Sequence, residues 1–185
     1  MVKLAIFDMD GTLFDTNDVN YNAYKVALKK YGVSLDYDYY CQYCNGRHYT
    51  TFLPELLGED KEKIEEVHKN KKKIYADFLN KVKVNERLID ILKSLKNEYK
   101  IALVTTASRK NTEEILKYTN MERDFDLILT AEDIMNPKPD PEGFLLAMSK
   151  FQSNSNETIV FEDSDVGVEA AETAGVQVYK VINFT

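Results

Sequence analysis

Asp8 and Asp10 stand two positions apart in the segment Asp8-Met9-Asp10-Gly11-Thr12-Leu13-Phe14-Asp15, directly behind the apolar run Lys3-Leu4-Ala5-Ile6-Phe7. A short apolar run of this kind reads as a buried parallel strand. Both carboxylates therefore fall at a strand's carboxyl end, where Gly11 lets the backbone turn away. Carboxylates at the rim of an apolar core are costly unless something neutralises them. A bound cation, a raised pKa, or both, resolves that cost, and either resolution suits attack on a phosphoryl group. Three more segments carry reactive residue types: Val104-Thr105-Thr106-Ala107-Ser108, Asn136-Pro137-Lys138-Pro139-Asp140-Pro141 and Phe161-Glu162-Asp163-Ser164-Asp165-Val166-Gly167.

These segments act together only if the chain's elements bring them to one edge. After residue 80 the pattern alternates strand and helix. It predicts strands over 3–7, 100–104, 126–129, 158–161 and 176–181, and helices over 86–95, 111–118, 141–151 and 165–174. Such a series predicts a parallel sheet with helices on both faces, and ligands of such sheets bind beyond the strands' carboxyl ends. Residues 16 to about 80 break the rhythm, with amphipathic helices over about 17–31, 36–44, 48–57 and 60–79, punctuated by Gly32, Pro54 and Gly58. The expectation is an α/β fold of two domains. Residues 1–15 and 82–185 form the core, residues 16–81 form an all-helical insertion, and hinges lie near 15–17 and 81–85.

In order and in placement behind strands, the four segments resemble the four motifs of the haloacid dehalogenase (HAD) superfamily, over roughly residues 1–15 and 82–180. The resemblance implies a Rossmann-like core with a small helical cap of the β-phosphoglucomutase and phosphoglycolate phosphatase type. It implies Mg²⁺-dependent hydrolysis of phosphomonoesters through an aspartyl-phosphate. Asp8 would be the nucleophile. Asp10 would be the general acid and base, kept protonated by burial and by the Asp8 carboxylate. Mg²⁺ would be held by the Asp8 carboxylate, the Asp10 backbone carbonyl and Asp163, with Glu162 beside it, and hard oxygen ligands suit that ion. Thr105 would donate its hydroxyl, and Thr106 its amide, to a phosphoryl oxygen. Lys138, in a loop stiffened by Pro137 and Pro139, would set an ammonium near Asp8. Dehalogenases lack a carboxylate at the place of Asp10 and P-type ATPase relatives carry Thr there, so Asp10 points to phosphoryl chemistry.

Several residues keep a second reading. Thr105 can instead cap a helix starting near Ser108. Many relatives read G-D-x-x-x-D in the fourth segment, but Gly167 takes the place of the last Asp here. Asp165 is therefore expected as a helix cap or supporting group rather than a metal ligand, and Asp15 as a brace for the first turn. In the insertion, Asn45-Gly46-Arg47-His48-Tyr49 holds the candidates for substrate contact. Gly46 permits a close turn, Arg47 can fork onto a carboxylate or phosphate, and His48 can donate a proton. The same segment can also be a helix-start turn with an exposed Arg and His. Tyr37, Tyr39, Tyr40 and Tyr43 supply phenols for a leaving group or for packing. The stretch 43–49 is similar to HAD phosphatases that accompany bacterial surface-polysaccharide synthesis, which implies a small sugar, polyol or amino-alcohol phosphate.

Composition narrows the partners. The chain has 185 residues, 44% hydrophobic and 30% charged, with net charge −7, as in a soluble globular protein. An acidic chain without a basic stripe disfavours nucleic acid and anionic membrane. Lys71-Lys72-Lys73 reads as a solvated helix face, His68 as surface, and the only cysteines, Cys41 and Cys44, as helix packing rather than zinc ligands. The expected partner is a small phosphorylated metabolite, with no nucleic acid and no membrane, for a cytoplasmic monomer or homodimer. The runner-up activity is a β-phosphoglucomutase-type mutase that uses the same four loops. A non-catalytic HAD-like binding protein is the alternative of another class.

Overall fold

The computed structural model describes residues 2–182. Strand β1 (Lys3–Phe7) buries Leu4, Ala5, Ile6 and Phe7 completely. Beyond it the chain turns sharply: Leu13 N and Phe14 N both donate to Met9 O at 3.0 Å, and Gly11 N donates to Phe14 O at 2.8 Å. The short strand β2 (Phe14–Asp15) follows. Gly11 adopts φ +90°, and a Cβ there would lie 2.1 Å from Asp163 Oδ2, so only glycine fits. The chain divides into two compact units, one made of the residues up to Asp15 with those from Lys83 onward, the other of Thr16–Val82.

The second unit is helical. It contains α1 (Asn17–Lys29), α2 (Tyr37–Tyr39) running into a π turn over Tyr40–Cys44, α3 (Tyr49–Leu57), α4 (Lys61–Ile74) and a 3₁₀ turn over Tyr75–Lys81. Apolar residues at helical spacing meet in one core, among them Ala27, Leu28, Leu35, Phe52, Leu53, Ile64 and Val67. Asp36 and Asp60 cap α2 and α4 by accepting from Tyr39 N and Lys63 N.

Pro54 lies inside α3, as the expected helix over 48–57 required; in a nine-residue helix its missing N–H removes a single intrahelical bond. Three expectations fail in this unit. The wider i→i+5 winding of the π turn separates the cysteines, leaving Cys41 exposed and Cys44 buried. Lys71 is buried, with its ammonium 4.7 Å from the Tyr75 ring centroid and 5.3 Å from that of Tyr24. Cation–π attraction offsets part of the cost of burying that charge. His68 is half-buried, stacked on the Tyr49 ring with centroids 3.7 Å apart.

The first unit resumes with β3 (Lys83–Val84), which pairs antiparallel with β2. Lys83 Nζ meets Asp15 Oδ2 at 3.1 Å across that pair. Asn85 then caps α5 (Glu86–Leu95): its Oδ1 accepts from Leu88 N at 3.2 Å and its Nδ2 donates to Thr12 O at 3.1 Å. β4 (Tyr99–Val104), α6 (Arg109–Tyr118), β5 (Leu127–Leu129), α7 (Glu142–Phe151), β6 (Thr158–Glu162), α8 (Asp165–Thr173) and β7 (Gln177–Lys180) complete the alternation. The five longer strands make one parallel sheet in the order β5-β4-β1-β6-β7, flanked by helices, and the fold class is α/β with an all-helical insertion between the first two strands of that sheet in chain order, entered through β2 and left through β3. Leu4, Ile6, Ala102, Val104 and Val160 pack on Phe144, Ala147, Ala170 and Ala171. Each fully buried large side chain in such a core contributes about 1.5–3 kcal/mol.

Strand order decides where the chemistry can lie. The sheet grows from β1 to β4 and β5, then the chain returns to the other side of β1 as β6. Phe7 at the end of β1 stands opposite Leu103 of β4 and Phe161 of β6. The residues that follow these three strands are therefore neighbours at the sheet's carboxyl edge, where the winding reverses.

Candidate active site

Asp8 follows β1 directly and is 6% exposed; its N–H donates to Phe161 O at 3.0 Å. Lys138 reaches it from the loop before α7. The ammonium donates to Asp8 Oδ1 at 2.6 Å, to Glu162 Oε2 at 2.6 Å and to Val104 O at 3.3 Å, three acceptors for its three protons. Glu162, the last residue of β6, points its other oxygen at Asp163 N, Ser164 N and the Ser164 hydroxyl, at 3.1, 3.0 and 2.8 Å. Thr12 Oγ1 donates to Asp163 Oδ1 at 2.9 Å. Oxygen atoms of Asp8, Glu162 and Asp163 lie within 4.8 Å of one another.

One ammonium faces three carboxylates, and burial, with repulsion from Glu162 added, raises the pKa of Asp8 and of Asp163. Burial pushes the Asp8 carboxyl well above the usual range, against the pull of Lys138. Burial, with the Glu162 charge added, raises Asp163 to about 6, opposed by the Thr12 hydrogen bond. Burial disfavours the Lys138 charge, but Asp8 and Glu162 outweigh it and hold the ammonium protonated above its ordinary range. With all three carboxylates ionised, the single ammonium leaves two negative charges on hard oxygen donors. That set fits a divalent cation of the Mg²⁺ type.

The other expected core residues fall along the same edge. Asp10 is half-buried in the turn after β1, bridged to Phe14. Thr105 is 1% exposed behind β4, and its hydroxyl accepts from Ala107 N at 3.0 Å, which keeps the proton for donation. The cap of α6 is Ser108, accepting from Asn111 N, and not Thr105. Thr106 is exposed in the same loop. Asp165 does not cap α8; Ser164 does, and Asp165 is exposed and ion-paired with Lys180. Gly167 departs from the G-D-x-x-x-D pattern for a steric reason: a Cβ there would lie 2.1 Å from the Glu162 carboxyl carbon.

In the helical unit, Gly46 takes φ +73°. Arg47 is exposed and forks onto its own unit, donating to Tyr43 O at 2.7 Å and to Glu55 Oε1 at 3.2 Å. His48 is exposed with Nδ1 2.8 Å from Thr50 Oγ1. Tyr37 donates its phenol to Asp18 at 2.7 Å, and the Tyr39 and Tyr43 rings pack together.

The structure thus gathers Asp8, Lys138, Glu162 and Asp163 into one contact network. Two members were not anticipated. Thr12 orients Asp163 from 151 positions away, a role that nothing in its own segment signals. Ser164 braces Glu162; a Ser directly before the expected helix over 165–174 signals the N-cap but not the bond to Glu162.

Comparison with known proteins accords with this geometry. A profile of the haloacid dehalogenase-like hydrolases matches residues 5–181. A phosphorylated carbohydrates phosphatase of Thermotoga maritima is 31% identical over 98% of this chain and 86% of its own length. The fructose-1-phosphate phosphatase YqaB of Escherichia coli is 28% identical over 95% of this chain and 94% of its own. A Thermotoga maritima structure assigned to the β-phosphoglucomutases superimposes with a TM-score of 0.77 at 30% identity, covering 98% of this chain and 86% of that one. CbbY of Rhodobacter sphaeroides, solved with phosphate, shares the fold at a TM-score of 0.84 and 22% identity, covering 100% and 88%. With its acidic cluster at the carboxyl edge of the sheet and a family match along nearly all its length, this chain belongs to the haloacid dehalogenase-like hydrolases.

Proposed function

We propose that the protein is a Mg²⁺-dependent phosphatase that hydrolyses small phosphomonoesters through an aspartyl-phosphate. The observation that carries this reading is Lys138, whose ammonium donates to Asp8 and Glu162 within a buried cluster that still holds surplus negative charge. An Asp8 oxygen attacks phosphorus while the bond to the leaving oxygen breaks, and Asp10 gives its proton to that oxygen. Water then attacks the same phosphorus, Asp10 takes a proton back, and Asp8 is released with inorganic phosphate. Lys138 and the Thr105 hydroxyl, with the Thr106 amide, meet the charge on the phosphoryl oxygens. The Asp8 carboxylate, the Asp10 carbonyl and Asp163, with Glu162 adjoining, would hold Mg²⁺. When bound, it neutralises charge between the carboxylates and the phosphate.

The names of the relatives support a phosphorylated sugar or polyol as substrate, and an amino-alcohol phosphate fits the same chemistry. Residues 16–81 act as a cap in this reading, with Gly46, Arg47 and His48 as contacts to the leaving group. The compartment is the cytoplasm; among the described residues no helix is long and apolar enough to cross a membrane.

Phosphate release from p-nitrophenyl phosphate and a panel of sugar and polyol phosphates, with and without Mg²⁺, tests the proposal. Turnover should require the ion, and Asp8→Asn should abolish it with the fold intact. The β-phosphoglucomutase likeness keeps a second reading, transfer back to another hydroxyl of the sugar. One free phosphate per substrate consumed excludes it, whereas sugar-phosphate isomers without phosphate release establish it. No turnover on any ester would make the protein a binding module.

A further inference from the structure

Glu162 is 1% exposed and stands beside two other carboxylates. A buried charge in that position keeps one orientation only if both oxygens are fully engaged. Oε2 takes Lys138. Oε1 takes three donors, two of them from one residue: the backbone N–H and the hydroxyl of Ser164, at 3.0 and 2.8 Å. The same hydroxyl oxygen accepts from Gly167 N at 3.1 Å, the N-cap contact of α8. Capping requires only acceptance. Donation to Glu162 is an additional bond, and it spends the hydroxyl's single proton. Gly167 leaves the room in which the Glu162 carboxyl sits, since a Cβ there would lie 2.1 Å from the carboxyl carbon. The first turn of α8 is therefore shaped around one carboxylate, and that carboxylate holds one face of the lysine.

We propose that Ser164 is a positioning residue: its hydroxyl ties the first turn of α8 to Glu162 and thereby fixes the Lys138 ammonium against Asp8. The geometry stands by itself; the catalytic consequence rests on the phosphatase reading above. Ser164→Gly removes the hydroxyl while retaining a residue that caps almost as well, and Ser164→Thr retains the hydroxyl.

In Ser164→Gly, kcat for a phosphate ester should fall about ten- to a hundredfold, as misplacement of a catalytic group does. KM should stay within about twofold, and the melting midpoint within about 2 °C of the parent. Ser164→Thr should recover most of kcat. A second readout does not depend on turnover: acetylation of Lys138 by acetic anhydride, followed by mass spectrometry. The Lys138 side chain is 7% exposed, so it should label slowly in the parent and in Ser164→Thr, and severalfold faster in Ser164→Gly. Unchanged kcat and labelling in Ser164→Gly would reduce Ser164 to a helix cap. A loss of kcat without faster labelling, or one that Ser164→Thr does not repair, overturns the proposal too. Faster labelling in a protein that turns over no ester sustains the positioning role and rejects the phosphatase reading.

Discussion

Lys138 is the residue on which the acidic cluster depends. Its side chain is 7% exposed, and its two charged partners are 8% and 1% exposed. A buried lysine between two buried carboxylates adds little net stability over an apolar arrangement, because desolvation consumes most of the Coulombic gain. Removing it is another matter. Lys138→Ala would leave Asp8 and Glu162 facing each other without a counter-charge, and breaking a buried pair in this way costs about 3–5 kcal/mol. For a chain of this size that corresponds to a fall in Tm of roughly 10 °C. Calorimetry without metal checks it. A change under about 2 °C would mean that the carboxylates are already protonated or hydrated, and that the ion pair is not what holds the cluster. Asp8→Asn removes one of the repelling charges and leaves Lys138 paired with Glu162. It should therefore melt no lower than the parent in the same experiment.

At the level of elements, legibility followed from how local the signals were. The core strands are short β-branched or aliphatic runs, each followed by polar residues, and the structure has them within a residue or two of the expected bounds at most of their ends. The same holds for α5 and α7, whose apolar positions repeat at helical spacing. In the helical unit the period was right but partners from elsewhere in the chain decided exposure. Lys71 sits in a run of lysines, yet it is buried, with its ammonium over the Tyr24 ring from α1 and the Tyr75 ring after α4. His68, one turn earlier, is stacked on Tyr49 from α3 and has its Nδ1 3.4 Å from the Tyr24 phenol. Burial first, then the charges of Lys71, Lys72 and His48, lower its pKa from 6.5 to about 4. A depressed histidine binds its proton more readily when unfolded. Its contribution to stability is therefore complete above pH 6.5 and is lost as the pH falls through 4. The imidazole C–H resonance of His68 should titrate with a midpoint near 4, and the urea midpoint should decline over that window less steeply in His68→Gln. A titration near 6.5 would mean that the stack opens readily to water.

Across the whole molecule, residue types and spacing identified the four segments, and the topology explains why they meet. Lys138 is 130 positions from Asp8, and the loop between β5 and α7 brings it past the end of β4 to the end of β1, while the return of the chain to the far side of β1 adds Glu162 and Asp163. The supporting contacts of Thr12, Asn85 and Ser164 were harder to read, because a hydroxyl or amide declares no role until the carboxylate or carbonyl that it orients has been placed. The same arrangement makes cation binding a property of the whole fold. Asp8, Glu162 and Asp163 come from the ends of two adjacent strands, so an ion gathering them stabilises the folded sheet and has no equivalent site in the unfolded chain. Mg²⁺ at a hundred times its dissociation constant should therefore add about 2.7 kcal/mol, which raises Tm by roughly 5–11 °C in a chain of this length. Net charge of −7 means that any salt also relieves repulsion, so the comparison must be made against NaCl at equal ionic strength. Asp163→Asn keeps the size of the side chain but weakens the ion's hold, and should abolish most of the difference. If NaCl reproduced the rise, or if Asp163→Asn retained it, the stabilisation would be screening of the acidic surface, and the cluster at the sheet edge would not be a cation site.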